Sequence, residues 1–161
     1  MDNSDDAFRA AKRTIELIKN GNLNEECQVD SIEQPEITAF HSTDHRKLSQ
    51  TIALYVPSTF GANYPIPPVD YRKIKAEYEQ HGRDILDKTE KLFEKNNIEV
   101  KAQLITDKKP EDFIKEQVEE DDVDLVVLGS KGEHSKLEQI FSGTIAQKVL
   151  NEVPCDVLIV R

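Results

Sequence analysis

Residues 123–132 read Val-Asp-Leu-Val-Val-Leu-Gly-Ser-Lys-Gly, and a second glycine follows at Gly143, directly before Thr144. An apolar run ends here in a glycine loop, and the later glycine stands before a helical pattern. Parallel α/β proteins form anion sites in this way, because backbone N–H groups at a loop and a helix start point at the anion and glycine leaves room for it. The segment therefore predicts an anion site at the carboxyl end of a buried strand.

This loop differs from two better-known phosphate motifs. Gly-Ser-Lys-Gly-Glu-His-Ser-Lys lacks the Gly-Lys-Ser/Thr ending of a P-loop, and it is not a Gly-x-Gly-x-x-Gly dinucleotide fingerprint. The site must therefore be argued from the arrangement of the elements around it.

The composition fits a single, well-solvated domain. The 161 residues include 31 acidic and 21 basic side chains, which give a formal net charge of -10. Without a basic face or tail, the chain is not expected to bind nucleic acid or an anionic membrane. The two cysteines, Cys27 and Cys155, are expected to be ordinary thiols in a reducing compartment, so the cytoplasm is the predicted location.

Apolar periodicity predicts helices that alternate with strands. Helices are expected at 4–20, 69–96, 110–120 and 144–152, with a short helical stretch near 135–142, and strands at 36–41, 51–56, 98–106, 123–128 and 157–160. Residues 43–68 form a long proline-rich loop between them. The order predicts one α/β domain over 1–161, with an open, mainly parallel twisted sheet covered by helices on both faces.

Two apolar stripes are expected to face the core. On the first helix, which Ser4 caps, the stripe is Phe8, Ala11, Ile15 and Ile18; on the long helix it is Ile74, Tyr78, Ile85, Thr89, Leu92 and Phe93. In such a fold ligands bind at the carboxyl ends of the strands, near the point where the strand order reverses. The glycine loop leaves an end of this kind.

The glycine pattern resembles that of the universal stress protein family, whose ATP-binding members carry Gly-x2-Gly-x9-Gly-Ser/Thr after the fourth strand. The matching residues are Gly129, Gly132, Gly143 and Thr144, and the helix–strand order continues through residue 161. The resemblance implies a Rossmann-like fold that binds ATP, with or without Mg²⁺, as a homodimer paired through strand 157–160. It also implies the ligand-binding residues Asp2, Leu128, Gly129, Ser130, Lys131, Gly132, Gly143, Thr144 and Ile145.

Two departures from the family pattern bear on this site. Ten residues rather than nine separate Gly132 from Gly143. The family also opens with a central strand that ends in an Asp-x-Ser loop, and Asp2-Asn3-Ser4 resembles that loop without the strand before it. Three explanations remain open: the natural chain begins upstream, which is favoured; segment 37–41 or 51–56 takes the vacant position; or a partner chain fills it.

The second family strand also has two candidates. The segment 36–42 is preferred over 51–56, because Ala39-Phe40-His41-Ser42 is closer to the family's strand ending. This choice makes Ser42, rather than Val56, the counterpart of the residue near adenine.

Each site residue also has a simpler explanation. Gly129 and Gly132 could form a plain tight turn, and Thr144 with Gln147 fits a capping box that serves only the helix. Asp2 could merely begin the first helix. His41, Asp44 and His45 are not expected to bind metal, because a four-residue spacing shares one face only on a helix.

The leading hypothesis is therefore an ATP-binding sensor or regulatory module that acts on unidentified partner proteins. The alternative is a protein-interaction module of the same fold that has lost nucleotide binding. An adenylyl-transferring enzyme is disfavoured, since such enzymes carry a phosphate loop after the first strand. No nucleophile–base pair is apparent, so no catalytic residue is assigned, although slow ATP hydrolysis is compatible with the sequence.

Overall fold

The computed structural model describes residues 1–21, 35–43, 71–130 and 145–161. The predicted strand at 51–56 and the helical stretch near 135–142 lie outside these residues. The elements are α1 (Asp5–Lys19), β1 (Thr38–Thr43), α2 (Tyr71–Glu94), β2 (Lys101–Thr106), α3 (Pro110–Glu120), β3 (Leu125–Gly129), α4 (Ile145–Glu152) and β4 (Asp156–Val160). Strands alternate with helices, as the α/β prediction requires.

The strands pair in parallel and in two groups. β1 pairs with β2, with Thr38 opposite Lys101, and β3 pairs with β4, with Leu125 opposite Asp156. Within the described ranges these are two separate two-stranded sheets. Each parallel pair requires a crossover connection, and α2 and α4 lie in those connections.

The hydrogen bonds show which edge of each strand remains open. The carbonyls of Ile37 and Thr43 accept from Lys101 and Asp107, at 2.8 and 3.1 Å. Successive residues turn their backbone groups to opposite edges, so odd-numbered residues of β1 face β2 and even-numbered residues face the open edge. In β3 the even-numbered residues face β4, because Ser130 N donates to Val160 O at 2.8 Å.

The first residues of the chain lie at the open edge of β1. The amino group of Met1 donates to Phe40 O, and the Met1 carbonyl oxygen is 2.5 Å from His41 Nδ1. α1 follows directly and packs against β3 and β4. The segment 1–19 therefore contacts both sheets, whereas the additional strand expected ahead of it stays a prediction.

Two apolar clusters hold the helices on the sheets. One joins α1 to α2 through Ala11, Ile15, Phe93 and Ile98. The other joins α3 and α4 to β3 and β4 through Ile114, Val118 and Val149, with Leu128 and Cys155 packed against it. No helix in the described part of the chain is long and apolar enough to cross a membrane.

The predicted stripes are correct in part. On α1 the buried face is rotated toward Asp6, Ala7 and Ala10, and Phe8 is only half-buried. On α2 Tyr78 is 52% exposed, contrary to the prediction. The long helix meets β1 and β2 at Gly82, while Lys75 already reaches Asp107 beyond the end of β2, so the turns around Tyr78 extend past the carboxyl ends of the strands.

Candidate functional site

The first turn of α1 lies directly against the carboxyl end of β3. A Cβ atom on Gly129 would stand 2.7 Å from the carbonyl carbon of Asp6 and 2.8 Å from Ala7 N. These are backbone atoms at the start of a helix, which cannot turn aside as a side chain can. The structure therefore gives Gly129 a packing role, because any side chain here would displace α1; its contact with a ligand stays a prediction.

Ser130, the next residue, has both of its donors engaged. Its backbone N–H donates to Val160 O at 2.8 Å, and its hydroxyl is 2.6 Å from Asp6 Oδ2. A carboxylate has only acceptor atoms, so the proton in the second hydrogen bond belongs to the serine. Toward any further group Ser130 Oγ thus offers lone pairs rather than a proton.

Asp6 is a buried carboxylate at the edge of the candidate site. It is 6% exposed, and its second oxygen, Oδ1, pairs with the guanidinium of Arg9 one turn along the helix. A buried charge is costly unless it is paired and hydrogen-bonded. Arg9 and Ser130 supply that stabilisation, and the carboxylate in turn fixes Ser130 to α1.

The backbone N–H and C=O of Gly129 point away from β4, in contrast to those of Ser130. Even-numbered residues of β3 face β4, so the amide and carbonyl of Gly129 face the open edge of β3. A backbone N–H at the carboxyl end of a parallel strand is a suitable donor to a ligand oxygen. Among the predicted binding residues that the structure describes, Gly129 thus has an amide directed toward this edge.

Asp2 holds the cap of α1. Ser4 Oγ accepts from Ala7 N at 3.1 Å, and Ser4 N donates to Asp2 Oδ1 at 3.0 Å, with a second hydrogen bond from the Ser4 hydroxyl to the same oxygen. The predicted cap is confirmed, and Asp2 extends it. Asp2 follows Met1, which contacts β1, so this carboxylate lies between the edge of β1 and the helix start.

The carboxyl ends of β1 and β2 form the other side of this region. Ser42 Oγ donates to Lys108 O at 2.6 Å, and Thr43 Oγ1 donates to Ile105 O at 3.2 Å. Asp107 follows β2 with φ 59 and lies 3.4 Å from Lys75 Nζ. The backbone of Ser42 faces the open edge of β1, where the residue proposed to lie near adenine would have to be.

Two titratable side chains, His41 in β1 and Cys155 just before β4, are poor candidates for catalytic groups. Burial lowers the pKa of His41, against the opposing effect of its hydrogen bond to Met1. The imidazole is therefore neutral at pH 7, with His81 and Asp2 nearby. Burial raises the pKa of Cys155, whose thiol thus stays protonated and unreactive.

The structure brings together only some of the predicted binding residues. Gly129, Ser130 and Asp2 meet around the start of α1, whereas the side chain of Leu128 packs into the core. Ile145, at 43% exposure, begins α4, whose first N–H groups have no partner within the helix. The remaining predicted residues, Lys131, Gly132, Gly143 and Thr144, lie outside the described ranges.

Sequence reasoning missed Asp6, because the apolar stripe predicted for the first helix does not include it. Asp6 lies one turn before Ala10 on the same face of α1, and only the structure shows that this face is buried. A carboxylate on a buried face requires a partner, and Ser130 provides one from 124 positions away.

The structure has parallel strand pairs, helices in the crossover connections and a strand that ends in glycine beside a helix start, and these features define an α/β protein. The family description "Universal stress protein family" matches residues 37–161. A universal stress protein of Methanothermobacter thermautotrophicus is 30% identical over 130 residues, covering 75% of this chain and 84% of that protein. The chain belongs to the universal stress protein family, and the resemblance inferred from its glycines is confirmed.

Solved structures agree with the fold. Universal stress protein UspA from Lactobacillus plantarum superposes with a TM-score of 0.68 at 18% identity, covering 100% of this chain and 93% of that one. The universal stress protein from Archaeoglobus fulgidus in complex with dAMP gives a TM-score of 0.55 at 17% identity, covering 100% and 92%. At such identities the likeness shows the fold, and the predicted α/β architecture is confirmed.

Proposed function

We propose that this chain is a cytoplasmic nucleotide-binding regulatory module whose ligand is ATP. The observation that carries the proposal is the position of Gly129, which ends β3 at the carboxyl edge with its amide turned toward the open edge, beside the start of α1. A family relative that is a complex with dAMP supports an adenine nucleotide as the ligand class. The two structures share their fold.

The proposed roles follow from the positions of the residues. Gly129 donates its amide to the ligand, while Asp2 and Ser42 lie where the base and ribose would be. By the family motif, Lys131, Gly132, Gly143 and Thr144 surround the phosphates, with Ile145 at the start of α4. A Mg²⁺ ion bridging the phosphates would reduce repulsion by a chain of net charge -10.

Two further parts of the proposal concern assembly and turnover. β4 pairs with β3 on one side only within the described residues, and an apolar edge strand of this kind invites pairing with a second chain. We therefore include a homodimer through residues 157–160, with partner proteins that receive the signal. Slow ATP hydrolysis is compatible with such a module, but no residue is assigned to it.

Isothermal titration with ATP, with and without Mg²⁺, tests the binding. The parent chain should bind ATP, and Thr144→Ala should weaken it at least about tenfold, since one hydrogen bond to a charged group contributes ~1.5–3 kcal/mol. Thr14→Ala is the matched control, because Thr14 bonds only to the Ala10 carbonyl on α1 and should leave the affinity unchanged. A parent chain that binds no adenine nucleotide in either condition refutes the proposal.

The alternative is a protein-interaction module of the same fold without a nucleotide. It is favoured by one observation, the engagement of both Ser130 donors beside the buried Asp6 carboxylate. A phosphate approaching Ser130 would meet a negative charge and no free proton. Failure to bind ATP, together with capture of partner proteins that does not respond to ATP, would support this function.

A further inference from the structure

We propose that Asp6 is a specificity-determining residue of the nucleotide site, which makes the Ser130 hydroxyl an acceptor for ligand hydroxyl groups and keeps phosphate away from it. This inference rests on the proposed nucleotide-binding function and adds to it which part of the ligand meets the first turn of α1. It is carried by the contacts of two side chains, Asp6 and Ser130.

The first step is the direction of the hydrogen bond. Ser130 has one hydroxyl proton, and that proton points at Asp6 Oδ2 across 2.6 Å. Its backbone N–H is also committed, to Val160 O. A phosphate oxygen is an acceptor and requires a donor, so Ser130 cannot serve it while Asp6 is in place. A ribose hydroxyl is a donor as well as an acceptor, and the lone pairs of Ser130 Oγ suit it.

The second step is charge. The Asp6 carboxylate is buried and its position is fixed from both sides, by Arg9 on Oδ1 and by Ser130 on Oδ2. Arg9 is 54% exposed at its side chain, so solvent screens it more than it screens the carboxylate. A phosphate placed at Ser130 would therefore be repelled, whereas an uncharged sugar would not.

The third step is geometry. A Cβ on Gly129 would stand 2.7 Å from the carbonyl carbon of Asp6, so the glycine lets the backbone of Asp6 lie against the end of β3 and keeps its side chain within reach of Ser130. The polarity of Ser130 is thus built into the packing of α1 on β3. The phosphates are expected to lie toward α4 instead, with the sugar at Ser130.

Four variants separate this role from a merely structural one. Asp6→Asn removes the charge and keeps an acceptor for Ser130, Asp6→Ala removes both, and Ser130→Ala removes the hydroxyl. Asp5→Asn is the matched control, because the exposed Asp5 carries the same charge in the same helical turn. The affinities of adenosine and ATP are measured for each by isothermal titration, after thermal melting has verified folding.

The expected result is a change in selectivity. Asp6→Asn and Asp6→Ala should bind ATP about tenfold more tightly, which is the order expected for removing one charge several ångströms away at an effective dielectric constant of about 20–40. Their affinity for adenosine should change by less than about twofold. Ser130→Ala should weaken adenosine and ATP equally, by about fivefold, since one neutral hydrogen bond to the sugar is lost. Asp5→Asn should leave the ATP-to-adenosine ratio unchanged.

Other outcomes overturn the inference. If both Asp6 variants change adenosine and ATP affinity by the same factor, Asp6 acts only on the structure of the site. If Asp5→Asn matches Asp6→Asn, the effect is one of overall charge. In both cases nucleotide binding itself stands. If the folded parent chain binds neither adenosine nor ATP, the proposed function fails and this inference fails with it.

Discussion

The substitution Gly129→Ala tests the arrangement on which the site depends. The added Cβ would lie 2.7 Å from the Asp6 carbonyl carbon, 2.8 Å from Ala7 N and 2.9 Å from Asp6 O, and ordinary contacts begin at 3.4 Å. Because all three atoms belong to backbone, no rotamer change can relieve the overlap. Either α1 or the end of β3 must move by several tenths of an ångström.

The expected cost follows from these contacts. Overpacking of this kind costs about 1–3 kcal/mol, and a shift of α1 also strains the 2.6 Å hydrogen bond between Ser130 and Asp6. Replacing glycine by alanine also stabilises the protein by about 0.5–1 kcal/mol, because it lowers the chain entropy of the unfolded state. After this gain is subtracted, and with the strained hydrogen bond included, the net destabilisation is about 0.5–2.5 kcal/mol, which lowers Tm by roughly 1–10 °C for a chain of this size.

Thermal melting followed by circular dichroism measures the effect, with Gly82→Ala as the comparison. There the new Cβ would lie 2.7 Å from His41 Cδ2 and from Leu104 Cδ1, which are side-chain atoms that can shift. Alanine is also favoured over glycine inside a helix by about 1 kcal/mol. We expect the smaller loss for Gly82→Ala. A Gly129→Ala protein that melts within 1 °C of the parent, or above Gly82→Ala, would show that α1 does not lie on β3 as described.

Three further predictions concern stability. Val149→Ala should destabilise the protein by about 1–3 kcal/mol, because the side chain is 1% exposed. Urea unfolding measures this loss, with Leu150→Ala as the control, which at 53% exposure should cost less than about 1 kcal/mol. Equal losses for the two variants would contradict the described packing of α4. Ser4→Ala should cost about 1 kcal/mol through loss of the cap, with Ser4→Thr, which keeps the hydroxyl, retaining most of the stability in the same assay. In a chain with a free amino group at Met1, burial lowers the pKa of that group from 8.0 to about 6. Between these pH values the unfolded state binds more protons than the folded state, so the free energy of unfolding should rise from pH 6 to pH 8, by at most about 3 kcal/mol. The lowered pKa of His41 adds a further loss of stability as the pH falls below 6.5, and acetylation of the amino group should leave only that part of the pH dependence.

Elements with local signals were predictable to within a residue or two. α3 runs from Pro110 to Glu120 as expected, because proline fits the first helical position and the acidic residues that follow favour the first turn. The start of β2 was not predictable in this way, since residues 98–100, which were expected to be in the strand, are not part of it. Ile98 N donates to Phe93 O after Asn97 with φ 58, and the ladder begins only where Ile37 accepts from Lys101. That boundary is set by a partner strand some sixty positions earlier, which no local pattern reveals.

The candidate site divides in the same way. The glycine at the end of β3 and its place at a carboxyl edge were visible as a pattern, because both follow from an apolar run and the residue after it. The reason for glycine at position 129 was not visible in the sequence, since the backbone atoms that a Cβ would meet belong to residues 6 and 7. Likewise, the contact between Asp6 and Ser130 depends on the rotation of α1 on β3, and the stripe predicted from Phe8 onward did not include Asp6.

The family match and the site geometry emphasise different parts of the chain. The match covers residues 37–161, which contain the parallel strands and the glycines. Under the proposed function, the groups that limit what the end of β3 can bind come from the first helical turn, where the Asp6 carboxylate accepts a hydrogen bond from Ser130 Oγ and the Asp6 backbone fills the space beside Gly129. Two chains with the same glycine pattern can therefore present opposite hydrogen-bonding polarity to a ligand, according to the side chain at the position of Asp6. Under the proposed function, it is the first turn of α1 that decides which ligand groups the end of β3 accepts in this chain.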